Sequence, residues 1–487
     1  MRRRASRWEP TRWIRAGATA RARASNSRCS SWVCARSSGT GRTQRAHSSR
    51  CTCGPSARRR ADPRAGAASS LLAPRASPSL ALVNSFRVWA DIDLDALAHN
   101  LARIGQLAGP AVRRILVVKA DAYGHGAVAI AHHAVRCGVD ALGVSTSSEA
   151  LELRDSGVRA PILILGTVLE QELSDCLQNQ VQIGLHSMDR LRRLERMARH
   201  SGGPVRVHLK IDTGMGRLGV LPERALELLR AVRNSRRLVL GGVMTHMAAA
   251  DGARADSTRA QLERFESVLA PARREGLLAG WVHCANSACL FTGMPDLYDA
   301  VRPGISAYGV LPPELPGAAE LAPVLALRAQ IVYLKDIGVG APVGYDGTWV
   351  AHRRTRVATL PLGYNDGLPW RLSNAGWALV RGRRVPLIGR VSMDYATLDV
   401  TDVRGVRVGD VATLIGRDGD EQIRVQEIAR AVGTIPYEVT CSVGKRVRRI
   451  YRGAPSLSAE PAARAGQAAA PIPSARHLSE SAFEPML

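Results

Sequence analysis

The chain has 487 residues, of which 46% are hydrophobic and 22% are charged, a balance typical of a globular protein with more than one domain. Its formal net charge of +25 suggests a nucleic-acid partner, but residues 1–85 contain 18 arginines and two acidic residues and so hold +16 of it. The remaining chain is mildly basic, which argues against a nucleic-acid-binding face. The sequence has no long uncharged apolar run, which argues against a membrane span.

Residues 1–85 are rich in Arg, Ala and Ser, and three interpretations stay open for them: a transit peptide, a basic nucleic-acid-binding arm, or a stretch upstream of the true start. The compositional bias favours the last, and all three predict disorder because little apolar surface can be buried. Residues 454–487, rich in Ala, Pro and Ser, are predicted to be a disordered tail. The folded body is therefore expected over residues 86–453, and its odd number of irregularly spaced cysteines predicts reduced thiols in a reducing compartment.

Between Arg113 and Ile305, short β-branched runs alternate with amphipathic segments such as Pro222–Asn234. This alternation predicts repeated βα units around a parallel sheet. The eight predicted strands are Ile115–Ala120, Ala141–Ser145, Pro161–Gly166, Gln182–His186, Val205–Asp212, Leu238–His246, Trp281–Asn286 and Ala300–Ile305. Eight such units match a (β/α)8 barrel over residues 86–320, whose active site would lie at the carboxyl ends of the strands.

After about Leu321 the pattern changes to short alternating strands separated by Gly, Pro and Asp. It predicts a mostly β domain over residues 321–453, in an α/β chain whose barrel comes first. The residues expected to be strands are Leu325–Leu334, Arg356–Leu360, Ala378–Val380, Arg383–Ile388, Ala396–Val400 and Asp410–Ile415. Residues 86–92 are expected to pair with this domain rather than with the barrel.

The first predicted barrel strand ends in VVKADAYGHG, which places Lys119 and Tyr123 at the mouth of the barrel. A lysine at this position has two interpretations. It could extend its amine into solvent at the rim, or it could be a desolvated amine that bonds covalently to an aldehyde cofactor. The residue alone does not choose between them.

Nine motifs occur in one order along the body. They are VVKADAYGHG, KIDTGMGRLG, THMAAAD, HCANSA, VRPGISAYG, VGYDGTW, PLGYNDG, GRVSMD and IPYEVTC. Together they resemble alanine racemase, a family of fold-type III enzymes that use pyridoxal 5'-phosphate. The resemblance covers residues 86–453 and implies interconversion of L-alanine and D-alanine by two bases, one on each face of the substrate.

In this resemblance Lys119 corresponds to the lysine that binds the cofactor and acts on one face, and Tyr345 to the base on the opposite face. Without the resemblance, Tyr345 would be an ordinary strand aromatic, because a phenol with a pKa of about 10 is a poor base near neutral pH. His246 is similar to the family's histidine that orients this tyrosine. Arg302 is similar to the arginine that faces the pyridine nitrogen, although a salt bridge at the barrel mouth is its simpler interpretation.

The resemblance also implies ligands for the rest of the cofactor. The implied phosphate ligands are Tyr123, Asn286, Ser287, Gly304, Ile305 and Tyr437. Asn286 and Ser287 could instead cap the helix that follows, and the two functions are compatible. Arg217 would bind the phenolic oxygen, and Lys210 would be the lysine that is carbamylated in many members, with an ion pair to Asp212 as the alternative.

Met393 and Asp394 are similar to the family's elements near the substrate carboxylate, and Tyr364 and Tyr437 to its inner gate. A gate of two tyrosines favours a small side chain, so the expected substrate is alanine rather than a basic amino acid, with serine harder to exclude. Arg217 is expected to contact the substrate too. No metal site is predicted.

The resemblance implies a homodimer with shared active sites, because the second domain of one subunit completes the site on the barrel of the other. The implied use is D-alanine supply for peptidoglycan in the cytoplasm. Two other functions are weighed: a fold-type III decarboxylase, which would need a catalytic cysteine in the β domain, and a cofactor-handling barrel, which would lack that domain. Cys441 is the only cysteine of residues 321–453, and the motifs around Tyr345 and Arg302 favour racemisation over decarboxylation. The second domain is present in the sequence, which argues against the cofactor-handling barrel.

Overall fold

The computed structural model describes residues 86–200, 203–250, 255–294, 297–312 and 315–453. The predictions made for residues 1–85 and 454–487 fall outside the described residues. Within the described ranges, no helix is long and apolar enough to cross a membrane.

The first part of the chain forms a parallel barrel of eight strands. In sheet order they are β8 (Trp281–His283), β7 (Leu238–Met244), β6 (Val205–Lys210), β5 (Gln182–Leu185), β4 (Ile162–Ile164), β3 (Ala141–Val144), β2 (Arg113–Val117) and β9 (Ala300–Val301). The Asp299 amide donates to the Val282 carbonyl and the Arg302 amide to that of Ala285, which nearly closes the barrel between β8 and β9. The predicted fold class is confirmed.

Helices follow or precede the barrel strands and cover them. They are α1 (Leu94–Ala108), α2 (Ala127–Arg136), α3 (Ser147–Asp155), α4 (Leu173–Gln178), α5 (Met188–Met197), α6 (Pro222–Asn234), α7 (Ala255–Arg274) and α8 (Ser287–Phe291). Helix α1 begins where the Asp93 carboxylate accepts from the Ala96 amide, and it buries Leu97, Leu101 and Ile104 along one face. The helices thus bury their apolar faces against the strands that carry the site.

The second part of the chain is mostly β. Its sheets contain β10 (Leu325–Gln330), β11 (Tyr333–Ile337), β12 (Pro342–Val343), β13 (Trp349–Val350), β14 (Thr355–Leu360), β15 (Trp377–Val380), β16 (Arg383–Pro386), β17 (Ala396–Asp399), β18 (Val411–Asp418), β19 (Glu421–Ile423) and β20 (Arg448–Arg452). Two short helices, α9 (Val425–Val432) and α10 (Pro436–Cys441), complete it. The largest sheet has the order β16-β15-β18-β10-β1-β20, with β19 on β18, and its strand β1 is Val88–Asp93.

Strand β1 (Val88–Asp93) belongs to this second sheet, although it precedes the barrel in the chain. It pairs antiparallel with β10 and parallel with β20. The Asp91 carboxylate on β1 bridges both neighbours, because Arg328 lies 2.9 Å and Arg452 2.7 Å from it. The chain therefore passes from the second sheet directly into α1 of the barrel.

Several predicted strands extend beyond the observed ones, for example Trp281–Asn286 and Ala300–Ile305, of which only Trp281–His283 and Ala300–Val301 are strand. Two differences have a clear physical reason. The first barrel strand ends at Val117 rather than Ala120, because residues 120–123 adopt left-handed backbone angles that cannot continue a strand. Leu325–Leu334 is two strands, β10 and β11, which pair with different neighbours, β18 and β14. Apolar alternation continues across the break, so periodicity alone cannot detect it.

Candidate active site

A cavity of about 370 Å³ opens at the carboxyl ends of the barrel strands. It is lined by most of the side chains selected from the sequence. Those are Lys119, Tyr123, Lys210, Arg217, His246, Asn286, Ser287, Arg302, Gly304, Ile305 and Tyr437. Tyr437 comes from α10 of the second domain and the others from the barrel, so both parts of the chain form the cavity.

Lys119 opens a left-handed turn over residues 119–124. Ala120, Asp121, Ala122 and Tyr123 all have φ between 52° and 54° and ψ between 39° and 52°. Because left-handed helix costs about 1–2 kcal/mol per residue other than glycine, four of them store roughly 4–8 kcal/mol of backbone strain. Contacts from outside the turn must therefore hold it.

Glu149 supplies one of those contacts. Its carboxylate accepts from the Ala120 amide at 2.7 Å and from the Ser145 amide at 2.7 Å, and it also closes the capping box of α3 with Thr146. Arg449 of β20 donates to the Gly124 carbonyl at 3.1 Å. The turn is thereby tied to α3 on one side and to the second domain on the other.

The cavity is strongly cationic. Lys119, Lys210, Arg217 and Arg302 line it, and no carboxylate occurs among the lining residues that the structure describes. Burial lowers the pKa of the Lys119 amine below its usual range, and the Arg217 guanidinium lowers it further. Burial, followed by Arg302, lowers the pKa of Lys210 to about 8. Such a site is suited to an anionic ligand, and a pKa of about 8 leaves part of the Lys210 amine neutral near pH 7.

Arg302 is held by the barrel on both terminal nitrogens. One donates to the His283 carbonyl at 2.9 Å and to its Nδ1 at 2.8 Å, and the other donates to the Thr245 carbonyl at 2.8 Å and the Cys284 carbonyl at 2.9 Å. Together with His246 Nδ1, which lies 3.3 Å from the second nitrogen, these acceptors share the four terminal hydrogens, so Nε–H is the donor that Arg302 has left for a ligand.

A chain of buried imidazoles continues behind Arg302. His283 Nδ1 accepts from Arg302, so its neutral ring carries the proton on Nε2, which lies 3.0 Å from His208 Nδ1. His208 Nε2 then donates to Gln182 Oε1 at 2.7 Å. Burial holds the pKa of His208 at about 3 and that of His283 well below its ordinary value, so both rings are neutral. This row of hydrogen-bonded side chains fixes the orientation of the Arg302 guanidinium from within the barrel.

His246 is also neutral. Its Nδ1 lies 3.3 Å from a terminal nitrogen of Arg302, which can only donate, so the His246 proton is on Nε2. Burial and the nearby Arg302 charge lower the pKa of His246 to about 3. His246 can thus donate a hydrogen bond from Nε2, but it supplies no positive charge itself.

The opposite end of the cavity is formed by short polar groups. The Ser287 hydroxyl accepts from the Gly304 amide at 2.9 Å, and the Asn286 side chain caps α8 by accepting from the Cys289 amide at 3.1 Å. A side chain at position 304 would collide with the Tyr123 hydroxyl, so only glycine fits there. Asn286 therefore caps helix α8, which was the alternative considered for it in the sequence, and Ser287 lies among the residues that line the cavity.

The loop that presents Arg217 is wound around Asp212. Its carboxylate accepts from the amides of Gly214, Met215 and Gly216 at 2.8 to 3.1 Å. The Lys210 amine instead donates to the Leu165 carbonyl at 3.4 Å. Asp212 therefore holds the loop that carries Arg217, whereas Lys210 faces the cavity.

Four selected residues of the second domain do not line this cavity within one chain. Tyr345 is 69% exposed, Met393 53% and Tyr364 46%. Asp394 forms an ion pair with Arg446 at 2.7 Å. Other large side chains are exposed on the same domain, among them Tyr395 and Trp370.

The model of the alanine racemase N-terminal domain matches residues 92–312, and that of the C-terminal domain matches residues 324–451. The chain belongs to the alanine racemase family. A curated alanine racemase of Syntrophobacter fumaroxidans is 42% identical over 75% of this chain and 98% of its own length, and one of Methanococcus maripaludis is 37% identical over 75% and 99%. The crystal structure of alanine racemase from D-cycloserine-producing Streptomyces lavendulae aligns with a TM-score of 0.71 at 35% identity, over 76% of this chain and 97% of that one.

The resemblance noted in the sequence is thus confirmed, and the enzyme is an amino-acid racemase, an isomerase. Sequence reasoning missed some residues that support this racemase site. Glu149 was identifiable from the capping-box pattern Thr146-x-x-Glu149, which marks a helix start. His283 and His208 carry no local signal, because their importance comes from contacts across the barrel.

Proposed function

We propose that the enzyme interconverts L-alanine and D-alanine with pyridoxal 5'-phosphate as cofactor, by a two-base mechanism in a cytoplasmic homodimer, and so supplies D-alanine for peptidoglycan. The observation that carries the proposal is the cationic cavity at the strand ends, where a buried amine of lowered pKa, Lys119, lies with Arg302 and Tyr123. The family membership supports the reaction, and the cavity supports the cofactor.

The residues present fit this cofactor. Lys119 would bind its aldehyde, Arg217 its phenolic oxygen, and the free Nε–H of Arg302 its pyridine nitrogen. Tyr123, Asn286, Ser287, Gly304, Ile305 and Tyr437 would surround its phosphate. The glycine at position 304, where a side chain would fill the space against Tyr123, leaves room for such a group. When bound, the cofactor delocalises the negative charge left on the substrate after the α-proton is removed.

Arg302 would limit protonation of the cofactor's pyridine nitrogen. Its guanidinium stays charged and can only donate, so a ring nitrogen that it binds would have to act as the acceptor. The four bonds from the terminal nitrogens keep Arg302 from turning away. This arrangement favours return of the proton to the α-carbon over side reactions at the cofactor.

Tyr345 requires a second subunit in this proposal. Within one chain it is 69% exposed on the second domain, outside the cavity that holds Lys119. Exposed Met393, Tyr395 and Trp370 give that domain an apolar surface of the kind that subunit contacts cover. A homodimer in which each second domain reaches the partner's barrel would bring Tyr345 and Met393 to the site.

His246 would orient Tyr345 by donating from Nε2 to the phenol oxygen. Because His246 is neutral, the positive charge that favours a phenolate comes from Arg302 behind it. Lys119 then holds the proton on one face of the substrate and Tyr345 on the other, which gives inversion rather than exchange with retention.

Lys210 is suited to carbamylation. With a pKa of about 8, a useful fraction of its amine is neutral near pH 7 and can attack carbon dioxide, and the resulting carboxylate would bind Arg217 in the cavity. Intact-protein mass spectrometry of the native enzyme, with and without added bicarbonate, tests this step. The Lys210→Arg variant should carry no such adduct.

The proposed substrate contacts are Arg217, the Met393 backbone amide and Asp394, with Tyr364 and Tyr437 narrowing the entrance. Tyr437 lines the cavity of its own chain, whereas Tyr364 would come from the partner subunit. Two aromatic rings at the entrance favour the methyl side chain of alanine.

The reaction is tested with a chain beginning near Leu82, given L-alanine, L-serine or L-lysine in heavy water and followed by chiral chromatography and deuterium at the α-carbon. We expect inversion with deuterium uptake on alanine, lowered about 100-fold or more in Tyr345→Phe. Tyr333→Phe is the matched control, since Tyr333 is likewise exposed on the second domain. Full inversion by Tyr345→Phe would remove its assigned role, and release of carbon dioxide would favour the decarboxylase.

Shared sites are tested by mixing two inactive variants, Lys119→Ala and Tyr345→Phe. A mixed dimer would contain one site with both native bases, so the mixture should regain activity after subunit exchange. A mixture that stays inactive, although co-purification of two differently tagged variants shows that mixed dimers have formed, would place both bases on one chain.

A further inference from the structure

His125, in the motif AYGHG, lies directly behind the left-handed turn and is fully buried. Its Nδ1 is 2.9 Å from the Ala122 carbonyl oxygen and 3.0 Å from that of Tyr123. Both oxygens can only accept, so Nδ1 carries the proton and donates to both. One imidazole thus donates to two carbonyls of the strained segment; the Ala122 carbonyl also accepts from the His125 amide at 3.2 Å, whereas the Tyr123 carbonyl accepts from the ring.

The other ring nitrogen of His125, Nε2, makes no such hydrogen bond within the described ranges. His125 Nε2 is buried and has no hydrogen-bond partner among the residues that the structure describes. Burial lowers the pKa of His125 to about 4, so the ring is neutral near pH 7 and carries a single proton. The polar function of the side chain is therefore the donor at Nδ1.

The ring is fixed from its other side by Tyr308. The two rings stack with centroids 4.5 Å apart, and the Tyr308 hydroxyl donates to the Val117 carbonyl at 3.0 Å, where β2 ends. Tyr308 also packs against Tyr123, with centroids 5.2 Å apart. His125 and Tyr308 together form a support beneath the turn.

We propose that His125 is a positioning residue: by donating to the carbonyls of Ala122 and Tyr123 it keeps the turn left-handed, and so holds the Tyr123 hydroxyl at the phosphate end of the cavity. The inference rests on the proposed function, because it takes Tyr123 as a ligand of the cofactor's phosphate. Its effect is on the phosphate end of the site and not on the chemistry at Lys119.

Three substitutions separate the donor from the ring. His125→Asn keeps an N–H near the place of Nδ1 and loses the ring. His125→Leu has nearly the shape of Asn and lacks both, and His125→Phe keeps the stacking on Tyr308 and lacks the donor. Tyr123→Phe serves as the reference for loss of the phosphate contact itself.

The measurement is the dissociation constant of the cofactor-free protein for pyridoxal 5'-phosphate and for pyridoxal, which lacks the phosphate. We expect the wild-type preference for the phosphorylated form to persist in His125→Asn. It should fall about tenfold in His125→Leu, His125→Phe and Tyr123→Phe, the loss equivalent to one hydrogen bond. Binding of pyridoxal should change little in all four.

A donor-less variant that keeps the wild-type preference overturns the proposal, as does equal loss of both ligands, which would show a merely structural role. If neither donor-less variant folds, His125→Asn decides alone, since loss of its preference would contradict the proposed donor. A wild-type protein that binds the two ligands equally, or binds neither, would instead contradict the proposed function.

Discussion

Acid should destabilise this racemase through imidazoles that are buried in the neutral form. Burial lowers the pKa of His125 to about 4 and that of His208 to about 3. An unfolded chain exposes the same rings with a pKa of about 6.5. Each residue therefore contributes stability that is present above pH 6.5 and is lost as the pH falls toward its folded-state pKa.

The magnitude follows from proton uptake by the unfolded state. At pH 5, protonation of one exposed imidazole stabilises the unfolded chain by about 2 kcal/mol, while a ring with a folded-state pKa of about 4 gains almost nothing. His125 and His208 together should thus remove about 4 kcal/mol of unfolding free energy between pH 7 and pH 5. That is a large share of the unfolding free energy of a typical domain, which is roughly 5–15 kcal/mol.

The assay is urea unfolding of the cofactor-free enzyme at pH 7 and pH 5, for the wild type, His125→Asn and His352→Asn. Asparagine does not titrate, so His125→Asn should lose about 2 kcal/mol less than the wild type between the two pH values. His352 is exposed, and its variant should lose as much as the wild type. If the wild type and His125→Asn lose equal free energy, His125 is not held neutral by burial and the reasoning is refuted.

Three further substitutions test the local arguments. Gly126→Ala should unfold at a much lower temperature than Gly109→Ala: both positions have φ near +90°, but only at Gly126 would the new methyl overlap the Tyr451 hydroxyl; equal melting temperatures would contradict the packing. Glu149→Gln should lower the free energy of unfolding in urea by about 1–3 kcal/mol, because glutamine has one accepting oxygen and the Ala120 and Ser145 amides need two. The exposed Glu152→Gln on the same helix should lower it little. Tyr364→Ala should raise the ratio of kcat/KM for serine over alanine, by about tenfold if this ring narrows the entrance, and an unchanged ratio would remove Tyr364 from the gate.

Much of the barrel was predictable because its elements have strong local patterns. Helix α6 begins and ends where the sequence predicts, since an amphipathic repeat starts at Pro222, a residue suited to a first helical position. The left-handed turn was not predictable. Ala120, Asp121, Ala122 and Tyr123 favour ordinary backbone angles, and only distant groups such as Glu149 hold them otherwise.

The cavity-lining part of the site was predictable for a different reason. Parallel strands end at one face of a barrel, so Lys119, His246 and Arg302 had to lie near one another once the strands were placed. The bonds that orient Arg302 depend on carbonyls of three different residues and follow no sequence rule.

Strand β1 has a consequence for how the protein is made. It emerges from the ribosome before any of the barrel, yet both strands that flank it, β10 and β20, come after the barrel is complete. A nascent barrel thus carries β1 without a partner until synthesis reaches residue 330, and with one open edge until residue 452, while a fragment cut near residue 320 would leave both edges of β1 unpaired. The two domains are therefore not separable at a single cut in the chain, because a strand of the second sheet stands before the barrel in the sequence.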